Sequence, residues 1–162
     1  MGFFDKVKGF FNVDGAKIEI NEVETPFAFT DTAHRGRFLV KAGGTVATVK
    51  DFTVSFVAIL TKEDGQEVEV LLSEEEVGSA ANWSDPADNP IPKTVDKNTT
   101  YEIQFLLIRV DLLAALREYG ITNAATARNY KTKFKIKVEV DIAEAVGLFD
   151  PTAEREIEVI DK

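Results

Sequence analysis

The sequence predicts an all-β protein, built as an antiparallel β-sandwich of about eight strands. Most of the chain alternates apolar and polar side chains with a period of two, the pattern of strands with one buried face. Turn-forming residues separate these segments, and strands do not alternate with helices, which favours antiparallel sheets. We expect residues 13–162 to form a single domain, preceded by a short amphipathic helix at residues 1–12.

The N-terminal helix is predicted from its aromatic residues. Four of the twelve Phe lie among the first eleven residues, and on a helix they share one apolar stripe with Val7. A helix this short is only marginally stable in water by itself, so its apolar stripe must pack against another surface. The sandwich itself is the first choice, a partner or a second copy the second, and a membrane surface the third. The stripe consists of Phe3, Phe4, Val7, Phe10 and Phe11.

The remaining elements follow in order from periodicity and turn residues. The clearest core strand is 51–61, in which Phe52, Val54 and Phe56 share one face. One short inserted helix is predicted from Asp111 to Tyr119, because Asp111 suits an N-cap and Gly120 suits the position after the helix. The predicted strands lie at 16–20, 37–41, 51–61, 66–72, 100–110, 130–140 and 155–160.

The net charge of −9 is concentrated in one stretch. The stretch from Glu63 to Pro92 contains nine of the 28 acids and no Lys or Arg. The remaining 19 acids equal the 19 basic residues in number, so the rest of the chain is electrically balanced. This balance argues against non-specific nucleic-acid binding, which needs a basic surface. Residues 73–99 are predicted to form a solvated acidic loop, with docking of a basic partner as the runner-up. Ca²⁺ binding by Glu74–Glu76 with Asp85 and Asp88 is the weaker alternative, because the spacing is not that of an EF-hand.

A basic run without an acid precedes and enters the strand at 130–140. Its alternating Lys residues should face Glu156 and Glu158 if the last two strands pair, each pair contributing about 0.2–1 kcal/mol. Contact with anionic lipid or nucleic acid is the alternative. The run consists of Arg128, Lys131, Lys133, Lys135 and Lys137.

Catalytic and metal chemistry finds little support in the composition. The chain has no Cys and a single His, which excludes thiolate metal sites and His-pair zinc sites. His34 is predicted to lie on the surface in a polar loop rather than to act as a general base. Trp83 lies in a predicted loop and is either anchored on the protein's own surface or offered to a partner. We expect no cofactor, no metal and no enzymatic activity.

Three stretches resemble the bacterial sporulation-control proteins of the stage-zero-M type. They are FFDKVKGFF with the following GAKIEI, the segment KAGGTVATVKDFTVSFVAIL, and YKTKFKIKVEVDIAEAVGLFDPTAEREIEV. The resemblance implies an arrestin-like, immunoglobulin-like sandwich with a binding or scaffolding role and without catalytic residues. Family members often carry a second sandwich, and they more often have a Pro-containing turn where residues 111–119 predict a helix.

The sequence thus predicts a non-enzymatic protein-binding or scaffolding module. Its partner is a protein of unknown identity or a second copy of the chain, and nucleic acid is not expected. The alternative is a peripheral membrane-surface adaptor that uses the Phe-rich helix. No secretory signal or apolar run of about 20 residues is found, so a cytoplasmic protein is expected. The predicted partner-binding residues are Phe3, Phe4, Val7, Phe10, Phe11 and Trp83.

Overall fold

A computed structural model describes residues 15–78, 89–145 and 150–161. These residues form ten strands and two short helices, and a 3₁₀ turn at Arg117–Tyr119 directly follows the first helix. The helices are α1 (Leu112–Leu116) and α2 (Ala124–Asn129). The strands are β1 (Lys17–Val23), β2 (Phe27–Ala28), β3 (His34–Lys41), β4 (Ala47–Thr61), β5 (Glu67–Gly78), β6 (Lys93–Val95), β7 (Thr100–Leu107), β8 (Lys133–Ile142), β9 (Thr152–Ile157) and β10 (Val159–Ile160).

Two antiparallel sheets account for most of the strands, which confirms the predicted mainly β, antiparallel class. The smaller sheet has the order β1-β3-β7. The larger has the order β5-β4-β8-β9, and β6 pairs with the first residues of β4. The short strands β2 and β10 form a separate parallel pair, which the sequence pattern does not predict.

The two sheets enclose a common core made of the apolar faces of their strands. Phe38 of the smaller sheet meets Phe52 of the larger sheet edge-on, with ring centroids 5.2 Å apart. Phe27 meets Phe56 in the same way at 5.2 Å. All four side chains are buried, and burying a Phe stabilises the fold by about 1.5–3 kcal/mol relative to leaving it exposed.

The strand β5 is longer than predicted, and it converts part of the expected acidic loop into sheet. Phe56 pairs with Ser73 while Val57 pairs with Leu71, so Leu72 is an extra residue in a β-bulge. A bulge shifts the alternation by one residue, which is why the period-two pattern breaks at Leu72. The strand in fact continues to Gly78, and Glu74–Glu76 belong to it.

The predicted helix after Asp111 is present, and a second helix was missed. The Asp111 side chain accepts a hydrogen bond from the Ala114 N–H, as expected of an N-cap. The second helix, α2, is too short to show an apolar period. Its sequence signal is a capping box, in which the Asn123 and Thr126 side chains each accept a hydrogen bond from the backbone N–H of the other residue.

Candidate partner-binding surfaces

The residues predicted to bind a partner lie outside the described part of the chain. This applies to the Phe-rich stripe at residues 3–11 and to Trp83, so their roles and the membrane alternative stay predictions. The described residues offer other candidates, and the first is the solvent-facing side of the larger sheet. We call this side the outer face, and it divides into two halves of different charge.

The balanced half consists of Glu69, Lys135, Lys137 and Glu154. The Lys137 ammonium lies between two carboxylates, 2.5 Å from Glu69 Oε1 and 3.6 Å from Glu154 Oε1. Lys135 Nζ lies 3.8 Å from Glu154 Oε2. The hydrogen bond to Glu69 raises the pKa of Lys137 despite partial burial, and the charges of Glu69 and Glu154 add to the rise. Each cation therefore faces an acid on a neighbouring strand.

The strand pairing behind this arrangement was predicted correctly, whereas the paired acids were not. The strands β8 and β9 are antiparallel neighbours, and Glu156 lies opposite Lys135 in the register. The ion pairs nevertheless go to Glu154 and, across β4, to Glu69. Glu158 follows β9, and its backbone N–H donates to the Thr25 hydroxyl. Long Lys side chains reach diagonal as well as directly opposite positions, which the sequence pattern does not reveal.

The ion pair across β4 also lies above an apolar residue. Lys137 pairs with Ser55 in the register, and Glu69 pairs with Ile59, so the line between them passes over Val57. Val57 is only 3% exposed although it faces outward. The aliphatic part of a Lys side chain can cover apolar surface while its ammonium stays in water.

The acidic half lies at the other end of the same face. Asp51 on β4 stands directly opposite Asp141 on β8, with Asp150 nearby. Burial and the charge of Asp141 raise the pKa of both Asp51 and Asp150 above their ordinary value of 3.8. Lys50 approaches Asp141 to 3.9 Å and offsets only part of this charge. The acidic half consists of Asp51, Glu74, Glu76, Glu139, Asp141 and Asp150.

The acidic half extends onto β5 through Glu74 and Glu76. A hydrogen bond with Glu74 raises the pKa of Glu76, and the negative charges of Glu74 and Asp51 contribute to the rise. Ser55 Oγ donates to Glu74 at 3.2 Å. Because raised carboxyl pKa values mean that the ionised form is disfavoured, this half destabilises the folded protein at neutral pH.

The predicted Ca²⁺ alternative stays a prediction, because two of its five acids are not described. Glu74–Glu76 lie along one strand, while Asp85 and Asp88 lie outside the described residues. Within residues 15–78, 89–145 and 150–161, no group of three or more His, Asp or Glu side chains is placed to hold a metal ion.

A second candidate is a cavity of about 770 Å³ at the β4–β5 hairpin. Leu60 lies among its lining residues, with Tyr119 and Tyr130, which are 36% and 48% exposed. Two Lys and two acids also line it, so its charge favours no class of ligand. These charged residues are Lys62, Glu63, Asp64 and Lys131.

The prediction that His34 lies on the surface is wrong. His34 is 0% exposed and begins β3, with its ring 4.5 Å from Phe27 and 4.8 Å from Phe56. Its Nε2 donates to the Glu24 carbonyl at 2.8 Å, so Nε2 carries the proton, and Nδ1 has no partner among the described atoms. Burial lowers the pKa of His34, against the raising effects of that bond and of Asp31. In β3, His34 lies on the same face as Phe38, four residues earlier in the strand. Extending the period-two pattern of residues 37–41 towards the N-terminus would therefore have predicted a buried His34.

Comparison with solved structures shows what the fold resembles. Over 91% of its length the chain matches the sporulation control protein Spo0M from Bacillus subtilis, with a TM-score of 0.59 and 15% sequence identity. The match covers 50% of the Spo0M chain, so this chain spans about half its length. A protein from Archaeoglobus fulgidus matches with a TM-score of 0.44 and 17% identity, over 88% of this chain and 91% of that one.

Spo0M therefore shares the fold of this chain, and at 15% identity the likeness is one of fold alone. No protein-family model matches the sequence, and no curated protein matches it. In the part of the chain that the structure describes, no helix is long and apolar enough to cross a membrane.

Proposed function

We propose that this chain is a non-catalytic, arrestin-like binding module that holds a basic protein partner on the acidic half of its outer face. The observation that carries the proposal is the placement of Asp51 opposite Asp141, beside Asp150. Like charges opposite each other on neighbouring strands destabilise a sheet. A basic partner relieves that repulsion, so its binding also stabilises the fold.

The charge of this surface favours protein over other macromolecules. Nucleic acids and the cytoplasmic leaflet of membranes are both negatively charged, so the acidic half repels them. A regulatory role of the kind that the name of Spo0M describes, sporulation control, is part of the proposal. The shared fold and the sequence resemblance support it.

Affinity capture from the native cell tests the proposal with two variants of equal net charge. The first carries Asp51→Asn, Asp141→Asn and Asp150→Asn and should lose the captured protein. The second should retain it, because its changes lie away from the outer face. The control substitutions, all at exposed acids, are Glu24→Gln, Asp96→Asn and Glu118→Gln.

Unfolding cannot explain the expected loss, because removing the repulsion should make the first variant at least as stable as the wild type. Thermal unfolding of all three proteins checks this point. If the wild type and both variants retain the same proteins to the same extent, the acidic half is not the binding surface.

A further inference from the structure

The first half of β5 has an edge that no strand covers in the described structure. The strand pairs with β4 on one side and is the outermost strand of its sheet. From Glu67 to Leu71, its backbone groups bond to no described group apart from those of β4. Such an edge presents a row of N–H and C=O groups to any extended segment that approaches.

In the smaller sheet, each of the two outer strands binds a polar side chain at one position of its edge. The Asn89 side chain binds the edge of β7 at Gln104, accepting from its N–H at 3.3 Å and donating to its carbonyl at 2.8 Å. The edge of β1 receives the Arg155 guanidinium from β9, which lies 3.4 Å from the Ile20 carbonyl. Within Glu67–Leu71 of β5 no described side chain is bound in this way, so this edge can accept another strand.

The side chains along this edge also suit an added strand. Leu71 is 53% exposed, and Val68 and Val70 are half-buried although they point towards the core side. Apolar groups at an open edge gain burial when another strand covers them. Glu67 and Glu69 alternate with Val68 and Val70 and face outward together with Leu71, so the edge is both apolar and acidic, with Glu69 also paired to Lys137.

These charges select the occupant. Two copies of β5 placed edge to edge would bring Glu67 and Glu69 against the same residues of the other copy, and that repulsion disfavours self-pairing. The sheet already shows the complementary pattern, because Lys135 and Lys137 alternate along β8 and face Glu154 on β9. We propose that Glu67–Leu71 bind an extended segment of a protein partner, with Lys or Arg at every second position, by main-chain pairing. The proposal rests on the proposed function, since it describes how the same basic partner is held.

The test uses a soluble peptide of alternating Lys and Val with blocked ends. Two further versions carry N-methyl groups on alternate residues, one on the Lys residues and the other on the Val residues. Only every second N–H of a strand faces a given neighbour, so one version loses its hydrogen bonds to β5 and the other keeps them. We expect one version to bind at least about tenfold more weakly than the unmodified peptide, and the other to bind about as well.

Calorimetry gives the affinities, and amide hydrogen exchange locates the site. The amides of Glu67–Leu71 should gain protection when the unmodified peptide binds. A peptide of the same composition with all Lys residues in one block should bind more weakly than the alternating peptide. The Glu67→Gln variant should bind the alternating peptide more weakly than the wild type does. Glu67 is exposed and lies outside the balanced half, so this change leaves folding intact.

The outcomes separate this proposal from the proposed function. If both N-methylated versions bind equally well, or if the unmodified peptide does not bind, main-chain pairing at β5 is wrong. The capture experiment with the Asp51, Asp141 and Asp150 variant decides the proposed function independently. Its success together with equal binding of the two methylated peptides would mean that the partner is held by side-chain charge alone.

Discussion

The two halves of the outer face use the same strands and opposite electrostatics. In the balanced half, Lys137 on β8 lies between Glu69 and Glu154, so every contact is attractive. In the acidic half, a few residues further along β8, Asp141 faces Asp51. Both halves are exposed to solvent on one sheet, so backbone geometry alone does not account for the difference.

We infer that the balanced half contributes to stability and the acidic half to binding. Ion pairs in the balanced half support the fold at its exposed side. The acidic half lowers stability and gains from any cationic partner. If this division is correct, substitutions in the two halves should change stability in opposite directions.

The largest expected effect on stability comes from His34 in the core. This pH dependence must be known before pH is used to compare the stabilities of the two halves. Because burial lowers the pKa of His34 below its unfolded value of 6.5, the unfolded state binds more protons below that pH. Stability is therefore complete above pH 6.5 and falls by up to about 1.4 kcal/mol per pH unit below it. Urea unfolding from about pH 7 to about pH 5 measures this slope.

The His34→Gln variant provides the control, since its amide can still donate to the Glu24 carbonyl. Its stability should change little over the same range, because Gln does not titrate. Equal slopes in the variant and the wild type would show that His34 is not the titrating group.

The next effect breaks the balanced half. Lys137→Glu removes two ion pairs and places a third carboxylate between Glu69 and Glu154. We expect the free energy of unfolding to fall by about 1–3 kcal/mol, the sum of lost attraction and new repulsion. Lys137→Met keeps most of the apolar stem and should lose less than half as much. A Lys137→Glu variant as stable as the wild type would contradict the role assigned to this half.

The sequence predicted the general fold because its strands are long and strongly periodic. The run from Phe52 to Leu60 and the alternation from Phe134 to Val140 both lie where the pattern places them, as β4 and β8. The prediction failed where a local feature, such as a β-bulge or a helix cap, interrupts the alternation of apolar and polar residues. The bulge at Leu72 hid the second half of β5, and the short helix α2 is set by caps rather than by an apolar stripe.

The candidate site was predicted only in part, because its geometry depends on pairs of strands. The sequence showed an acidic stretch and a basic run, but not that Lys137 reaches across β4 to Glu69. Nor could it show that Asp51 and Asp141, 90 positions apart in the chain, are neighbours. The pairing register decides which residues of two strands lie opposite each other, even when they are distant in sequence. Periodicity within one strand shows which face a residue is on, but not which residue of another strand lies beside it.

A third prediction breaks the acidic half and has the opposite sign. Asp51→Asn should raise the free energy of unfolding at about pH 7 by about 0.2–1 kcal/mol, because it removes the charge opposite Asp141. The raised pKa of Asp51 means that the wild type regains this stability as the pH falls through that pKa. The advantage of the variant should therefore disappear at about pH 3. Destabilisation at neutral pH would show that Asp51 supports the fold.

The smallest effect is that of salt, which changes the electrostatic energy of both halves without changing an atom of the protein. Raising ionic strength from about 0.1 M to about 1 M shortens the Debye length from about 10 Å to about 3 Å. Screening should weaken attraction in the balanced half and repulsion in the acidic half, so the wild type should change little. The loss caused by Lys137→Met and the gain caused by Asp51→Asn should then both shrink, each by a few tenths of a kcal/mol. Relative to the wild type, salt should thus raise the free energy of unfolding of Lys137→Met and lower that of Asp51→Asn. A change of the same sign in both variants would show that the halves do not differ in the sign of their electrostatic energy.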